Sequence, residues 1–416
     1  MAWAEVAVAA TDLNPSHSLA SHPTSKPRSR ALGPVVLAAL ALPGAMPVAH
    51  AETAPEHGVI SLRYLRYQDQ QEVKVKYPTY NGSEPDTLKR ITVKSPSVHL
   101  LAPLGTRWSL EASGVRDDVS GATPKWFSDV SGATQQPAGQ GMRDLRRAGD
   151  VKISRHFDRA GISVGASHST EFDYKSTAFS VDTRMSSADN NTTFSLGLGS
   201  ASDKINPVND KVKNETKRTR EIIAGVTQAL NANNLVQLNL SYSDGRGYYS
   251  DPYKYFDNRP ERRRQAAALV RWNTHSPSWG STVRSSYRYY RDNFGIVGHT
   301  GELAWVQPAG SWFVLTPSAR YHSQSSANFY YDAVLDSPSY PEPLIYSQYM
   351  SADHRLSAFG AVTLGLKAEL RLSEWTADVK YERYEQRSGW RVGGQGSPNL
   401  DVFSADSLQF GVSRKF

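Results

Sequence analysis

From Gly58 to Phe416 the chain divides into segments of about ten residues in which apolar and polar side chains alternate, and the breaks between them are short and long in turn. Val236, Leu238, Leu240 and Tyr242 against Gln237, Asn239, Ser241 and Ser243 give the cleanest case; Phe194, Leu196 and Leu198 against Ser195, Gly197 and Gly199 give another. Successive side chains of a strand point to opposite faces, so each segment makes a strand with one apolar and one polar face. Such segments lie near Gly58 to Gln68, Arg90 to Ala102, Lys175 to Met185, Asn191 to Ser202, Arg262 to Asn273, Trp279 to Arg291, Ser351 to Lys367 and Trp375 to Glu385. With the others the total is about 16 strands, 14 to 18 being allowed by the spacing.

The parity of the breaks restricts the fold further. Short breaks fall at Pro103, Asp158, Ser186, Asn231, Ser276, Pro308 and near Leu370. Long polar stretches, among them Asp117 to Gly141, Asp203 to Thr216, Gly245 to Glu261, Gln324 to Tyr349 and Arg387 to Asp406, follow odd-numbered strands. A soluble β-sandwich has no reason to keep this order. An all-β, up-and-down antiparallel transmembrane β-barrel with both termini in the periplasm does, because its periplasmic turns are short and its extracellular loops long. Aromatics near strand ends, such as Tyr287, Tyr289, Tyr290, Trp305, Trp312, Phe313, Trp375 and Tyr381, supply the interfacial girdle that a barrel needs.

The last strand has the same form. Leu408, Phe410, Val412 and Phe416 share its apolar face, and a terminal aromatic on such a strand is what barrel-assembly machinery recognises. Arg414 departs from the apolar pattern, but two residues from the end a long side chain reaches the headgroups at little cost.

No segment of the mature region is a run of about 20 apolar residues, so a spanning helix is excluded and a closed barrel is the remaining way through a membrane. At the N-terminus Lys26, Arg28 and Arg30 precede the apolar run Ala31 to Ala45, and Ala49-His50-Ala51 supplies small residues for signal-peptidase cleavage after Ala51. Residues 1–51 are therefore expected to be a signal peptide with an extended n-region, and residues 52–416 one barrel domain in the bacterial outer membrane. The 416 residues include no cysteine, which removes disulfides and a lipid-anchored N-terminus. Of the formal net charge of +7, the leader contributes three cations against two acids; the mature chain keeps 44 against 38, or +6. A positive surface suits outer-membrane lipid and lipopolysaccharide phosphates.

Inward positions, opposite the apolar face, include Arg63, Arg284, Arg288, Arg320 and Lys380 beside Glu111, Glu171, Glu302, Asp378 and Glu382. Facing charges in a polar lumen set selectivity in a pore, and equally fill a closed interior by pairing. Two loop motifs stand apart. Asp118-Val119-Ser120-Gly121-Ala122-Thr123 recurs eleven residues later as Asp129-Val130-Ser131-Gly132-Ala133-Thr134, offering Asp118, Ser120, Asp129 and Ser131. The second reads Gly247-Tyr248-Tyr249-Ser250-Asp251-Pro252-Tyr253-Lys254, with Tyr248, Asp251, Tyr253 and Lys254 as candidates and Arg259 and Arg262 following. Both loops are expected to fold over the mouth and pack on themselves.

With Ser169-Thr170-Glu171-Phe172-Asp173-Tyr174, Tyr287-Arg288-Tyr289-Tyr290-Arg291-Asp292, Ser326-Ala327-Asn328-Phe329-Tyr330 and Ser351-Ala352-Asp353-His354-Arg355-Leu356, these motifs make the mature chain resemble bacterial outer-membrane proteins catalogued as domain of unknown function 3570. The resemblance implies a signal-bearing barrel, no established activity and no catalytic residues. It also hints at an envelope redox system, with a periplasmic lipoprotein or redox partner.

Three functions remain. A channel for small solutes needs the polar lumen. A structural or partner-binding barrel needs only the fold. A hydrolase would need His168-Ser169 or Asp353-His354, and neighbours on a strand face opposite ways, so neither pair makes a dyad alone. No cofactor is expected, and no phosphate loop, metal-ligand spacing or nucleic-acid module is present.

Overall fold

The structure, a computed structural model, describes residues 53–72, 78–79, 82–83, 87–122, 141–207, 212–252, 257–331, 348–398 and 400–416. Sixteen antiparallel strands close into one barrel: β1 (Val59–Glu72), β2 (Thr87–Leu104), β3 (Trp108–Ala122), β4 (Gly141–His156), β5 (Ala160–Thr170), β6 (Tyr174–Ser186), β7 (Thr192–Ile205) and β8 (Glu215–Asn231), then β9 (Asn234–Gly247), β10 (Arg262–Ser276), β11 (Ser281–Asp292), β12 (Val297–Ala309), β13 (Phe313–Gln324), β14 (Phe359–Leu372), β15 (Trp375–Arg387) and β16 (Phe403–Lys415). Each strand pairs with its sequence neighbours, and β16 returns to β1. The predicted leader, residues 1–51, lies outside the described residues.

The seam is tightly made. Val59 lies opposite Lys415, and beyond that pair Gly58 and Phe416 exchange backbone hydrogen bonds of 2.9 and 3.0 Å. A Cβ on Gly58 would fall 2.4 Å from the Phe416 ring, so the terminal aromatic closes the barrel against a residue that has no side chain. Leu408, Phe410 and Val412 face outward as expected. Arg414 also faces out, its guanidinium 5.4 Å over the Trp375 ring and 3.6 Å from Glu374.

Alternation sorts the side chains as the sequence requires. Leu62, Val164, Leu198, Leu240 and Leu364 are each more than half exposed on the outer wall, while their neighbours turn inward. An apolar belt of this extent around a closed barrel is stable only against lipid. The end at which β1 begins and β16 finishes also carries the seven short turns after even-numbered strands.

Several details differ from the expected pattern. Strand β14 starts at Phe359 rather than Ser351, because Asp353 caps a 3-10 turn at His354–Leu356 by accepting from the Arg355 backbone. The connections after β5 and β11 are only three and four residues, Glu171 to Asp173 and Asn293 to Ile296, so odd-strand breaks are not uniformly long. Tyr290 leaves the outer girdle: it faces inward and bonds Asp292, Gln265 and Arg263. Strand β3 runs on through the first Asp-Val-Ser-Gly-Ala copy, so Asp118 and Ser120 are outward strand residues while Val119 is buried inside.

Val119 belongs to an apolar cluster at the far end of the lumen, with Tyr67, Ile91, Phe359, Tyr384 and Phe403, onto which Leu400 of the last loop folds. The rings of Tyr384 and Phe403 meet edge to face at 6.0 Å. Truncating Phe403 to Ala is expected to cost about 3 kcal/mol through lost contacts and a cavity. Urea unfolding of the refolded barrel checks this, and a loss below about 1 kcal/mol would mean the cluster is not close-packed.

Candidate functional site

Nine of the ten predicted lumen residues lie on strands and face inward; the tenth, Glu171, sits in the turn after β5 with its carboxylate 3.7 Å from Arg146 Nε. They are largely paired. Glu302 and Arg320 stand directly opposite on β12 and β13, 3.0 Å apart. Lys380 and Glu382 follow one another on the inner face of β15 at 2.9 Å. Glu111 takes Lys152 at 2.5 Å and His99 at 3.2 Å. Arg288 lies over the Tyr290 ring at 5.1 Å, and Arg284 is in electrostatic reach of Glu369 and Arg371.

The Arg63 and Asp378 pair shows how the wall permits such contacts. Both lie in register with Gly411, on either side of the closing strand, and Arg63 Nη2 reaches Asp378 Oδ1 at 3.8 Å. A Cβ at Gly411 would stand 2.6 Å from that oxygen, so only glycine lets the two charges approach across β16.

Sequence reasoning missed a second set. Lys217 is fully buried, 3.1 Å from Asp203, with the rings of Tyr174 and Tyr249 at 5.6 and 5.5 Å. The polar run from Asp203 to Thr216 reads as loop in the sequence, but β7 continues to Ile205 and carries Asp203 inward. Arg146 joins Asp117 at 3.0 Å and Ser169 at 3.0 Å, and Lys367, Glu369 and Arg371 form a row on β14. Asp117, Asp203, Glu369 and Arg371 lie beyond the strand ends that apolar alternation marks, whereas Lys217 and Arg146 fall within strands on the polar face, where alternation alone singles out no pair.

Counted by wall, the inward charges separate. Among the described residues β3–β8 turn inward Glu111, Asp117, Asp144, Asp150, Asp182, Asp203, Glu215 and Glu221 against Arg146, Lys152, Arg184 and Lys217, eight carboxylates to four cations. Strands β10–β15 turn inward Arg263, Arg271, Arg284, Arg288, Arg320, Lys367, Arg371 and Lys380 against Asp292, Glu302, Glu369, Asp378 and Glu382, eight cations to five carboxylates. The two groups of strands lie across the barrel from each other.

The second loop motif forms a lock above the lumen. Arg259 holds Asp257 through two bonds of 2.7 Å and Asp353 at 2.7 Å. Arg355 bonds Asp353 as well and reaches Asp251 at 3.1 Å. Asp257 and Asn258 pair with Ser351 and Met350, so the β9–β10 and β13–β14 loops are stitched together. Burial alone would lower the Arg259 pKa, but the Asp257 and Asp353 carboxylates push it above the usual arginine value, so the cation persists at every accessible pH. Burial, then Asp257 and Asp251, pushes the Tyr248 hydroxyl up to about 12. Beneath the lock Tyr249, Phe294, Ile296, Ala327 and Leu356 form an apolar cluster. Asp129, Ser131, Tyr253 and Lys254 lie outside the described residues.

The hydrolase candidates are placed as follows. His168 faces out and bonds Thr177, while Ser169 faces in and receives Arg146. Asp353 and His354 occupy a cap and a 3-10 turn rather than a strand, with His354 Nδ1 3.9 Å from an aspartate already held by two arginines. Among the described residues no cluster has the makings of a metal site.

The sequence profile described as "Protein of unknown function (DUF3570)" matches residues 32–214 and 209–407. The chain belongs to the DUF3570 family. No curated protein matches it. Among solved structures, CdiB from Acinetobacter baumannii is 9% identical at a TM-score of 0.46, covering 84% of this chain and 60% of that one. A bacterial polysaccharide outer membrane secretin is 7% identical at 0.44, covering 85% and 98%, and a Pseudomonas aeruginosa FadL homologue 9% at 0.41, covering 87% and 90%. At such identities the likeness is one of barrel architecture and says nothing of cargo. For this DUF3570 barrel, Arg259→Ala leaves two buried carboxylates without their shared cation, and a local loss of about 3 kcal/mol is expected. Hydrogen exchange at residues 248–252 and 348–357 should accelerate by roughly 100-fold; unchanged exchange would show that the lock does not hold the loops.

Proposed function

We propose that this barrel is a channel for small polar solutes in the bacterial outer membrane, with its terminal end in the periplasm and its locked end outside. The observation that carries the reading is the opposed charge of the two lumen walls. Carboxylates in excess on β3–β8 and cations in excess on β10–β15 set a field across the barrel rather than along it. Such a field orients a dipolar or zwitterionic solute as it passes, and a lumen of nearly balanced charge imposes little selectivity between simple anions and cations. Asp182 supports a hydrated path: neither carboxylate oxygen has a hydrogen-bond partner among the described residues, although both are shielded.

The tight pairing limits size. Glu382 and Lys380 are 2% and 7% exposed, so the passage at their level is narrow. The arginine lock ties the β9–β10 and β13–β14 loops together above the lumen, which makes their opening the gating step. The reading is non-enzymatic, and it has the outward face of β16 recognised by assembly machinery during insertion.

Planar-bilayer recording tests it. Wild type should show rare small steps with weak ion selectivity, and Arg259→Ala should open more often with the same unitary size. Absence of steps in both would sink the channel and leave a filled structural barrel, the second reading that the shielding of Lys380 and Glu382 favours.

A further inference from the structure

The outer surface carries a feature that neither the lumen nor the lock uses. On the outward face of β7–β10, at the end away from the termini, stand Lys204, Arg218, Arg220, Arg246, Arg262 and Arg264, all exposed. Register makes them contiguous. Arg218 lies directly opposite Arg246, and Arg246 directly opposite Arg262. Arg220 and Arg264 flank Asp244 from the two sides. Among the described residues Asp244 is the sole carboxylate on this face; it binds Arg262 at 2.7 and 2.9 Å and lies 3.7 Å from Arg246. Six cations against one acid leave a net +5.

Like charges placed opposite one another across strands destabilise a sheet unless a counter-charge is shared between them. On this face the protein supplies one. Lys204, Arg218 and Arg220 have no ion-pair partner among the described residues. The position says where the missing anions come from. On β8 and β9 the lipid belt begins two residues further along the same face, where Ile222 follows Arg220 and Tyr242 precedes Asp244; Leu198 of β7 lies opposite Ile222, Leu240 is the next outward residue after Tyr242, and all four are exposed. The patch therefore sits at headgroup depth, where a phosphate is held against the protein by its own acyl chains.

We infer that this face is a binding site for a lipid headgroup bearing two or more phosphates in the leaflet at the locked end, its acyl chains lying on Leu198, Ile222 and Leu240. Arginine forks suit phosphate oxygens in pairs, and the Arg218–Arg246–Arg262 row and the Arg220 and Arg264 cations on either side of Asp244 offer places for two phosphates. The site requires that the chain spans a membrane and is independent of whether its lumen conducts.

The test uses the full mature barrel in detergent, with native mass spectrometry to follow a hexa-acylated bisphosphoryl lipid A. The wild type should retain the lipid, and its fully dephosphorylated form should bind at least about ten-fold more weakly. Arg218→Gln with Arg220→Gln should weaken the bisphosphorylated form by roughly 30-fold, each cation near the surface contributing about one factor of five. Arg383→Gln with Arg387→Gln, whose cations already have Asp406 and Glu385 as partners, should change it less than about two-fold. Equal binding of both lipids, an undiminished double variant, or displacement by an equal concentration of inorganic phosphate would overturn the assignment. Should the double variant fail to fold, as judged by heat-modifiable mobility, the comparison of the two lipids on wild type decides alone.

Discussion

Everything in this molecule depends on a backbone that leaves no group unpaired inside lipid. An open sheet would present a row of donors and acceptors to hydrocarbon at several kcal/mol each, so the sixteenth strand must find the first. The Gly58 and Phe416 exchange is where that demand meets particular residues. The chain end is bonded at both N–H and C=O, and its ring covers a glycine with no side chain to push it away. Closure in turn fixes the register of every other pair, because a slip of one residue anywhere would turn a whole strand inside out.

Fixed register makes the interior electrostatics unavoidable. Once alternate residues must face lipid, the residues between them share a confined interior, and any charge there has to be satisfied by a neighbour in the same row or by water. The chain answers in three ways. Opposed pairs such as Glu302 and Arg320 use adjacent strands, i and i+2 pairs such as Lys380 and Glu382 use one strand, and Arg63 and Asp378 reach over the gap that Gly411 leaves. What remains after pairing is the imbalance between the two walls, and that residue of charge gives the lumen a direction.

Much of this was legible in the sequence, since a period of two is a strong signal and sixteen repetitions of it are not ambiguous. The facing of Glu111, Arg284, Arg320 and Lys380 followed from alternation alone. Strand ends were less legible. Polar tips such as Asp203 and Asp118 read as loop, because the alternation that marks a strand depends on apolar residues and those end where the lipid ends. Ladders go on beyond that point, as β7 and β3 do. The lock was half visible: Asp251 and Arg259 stood in one motif and Asp353 and Arg355 in another, but nothing in a linear pattern says that loops about ninety residues apart share their carboxylates.

The cations on the outer wall show most clearly what pairing can and cannot do. Toward the terminal end Arg155 lies over Trp108 at 5.3 Å and Arg414 over Trp375 at 5.4 Å, so each guanidinium rests on an interfacial ring, Arg414 with Glu374 beside it as well. On β7–β10 at the other end no ring among the described residues is placed under Arg218 or Arg220, and like charges oppose like along the ladder. A folded protein bears such a face at a cost unless the medium supplies the counter-charge. Two ends of the outer wall thus support the same residue type differently: at one end aromatic rings lie under the arginines, and at the other like-charged arginines share a single aspartate, which is where a phosphate-bearing headgroup is proposed to bind.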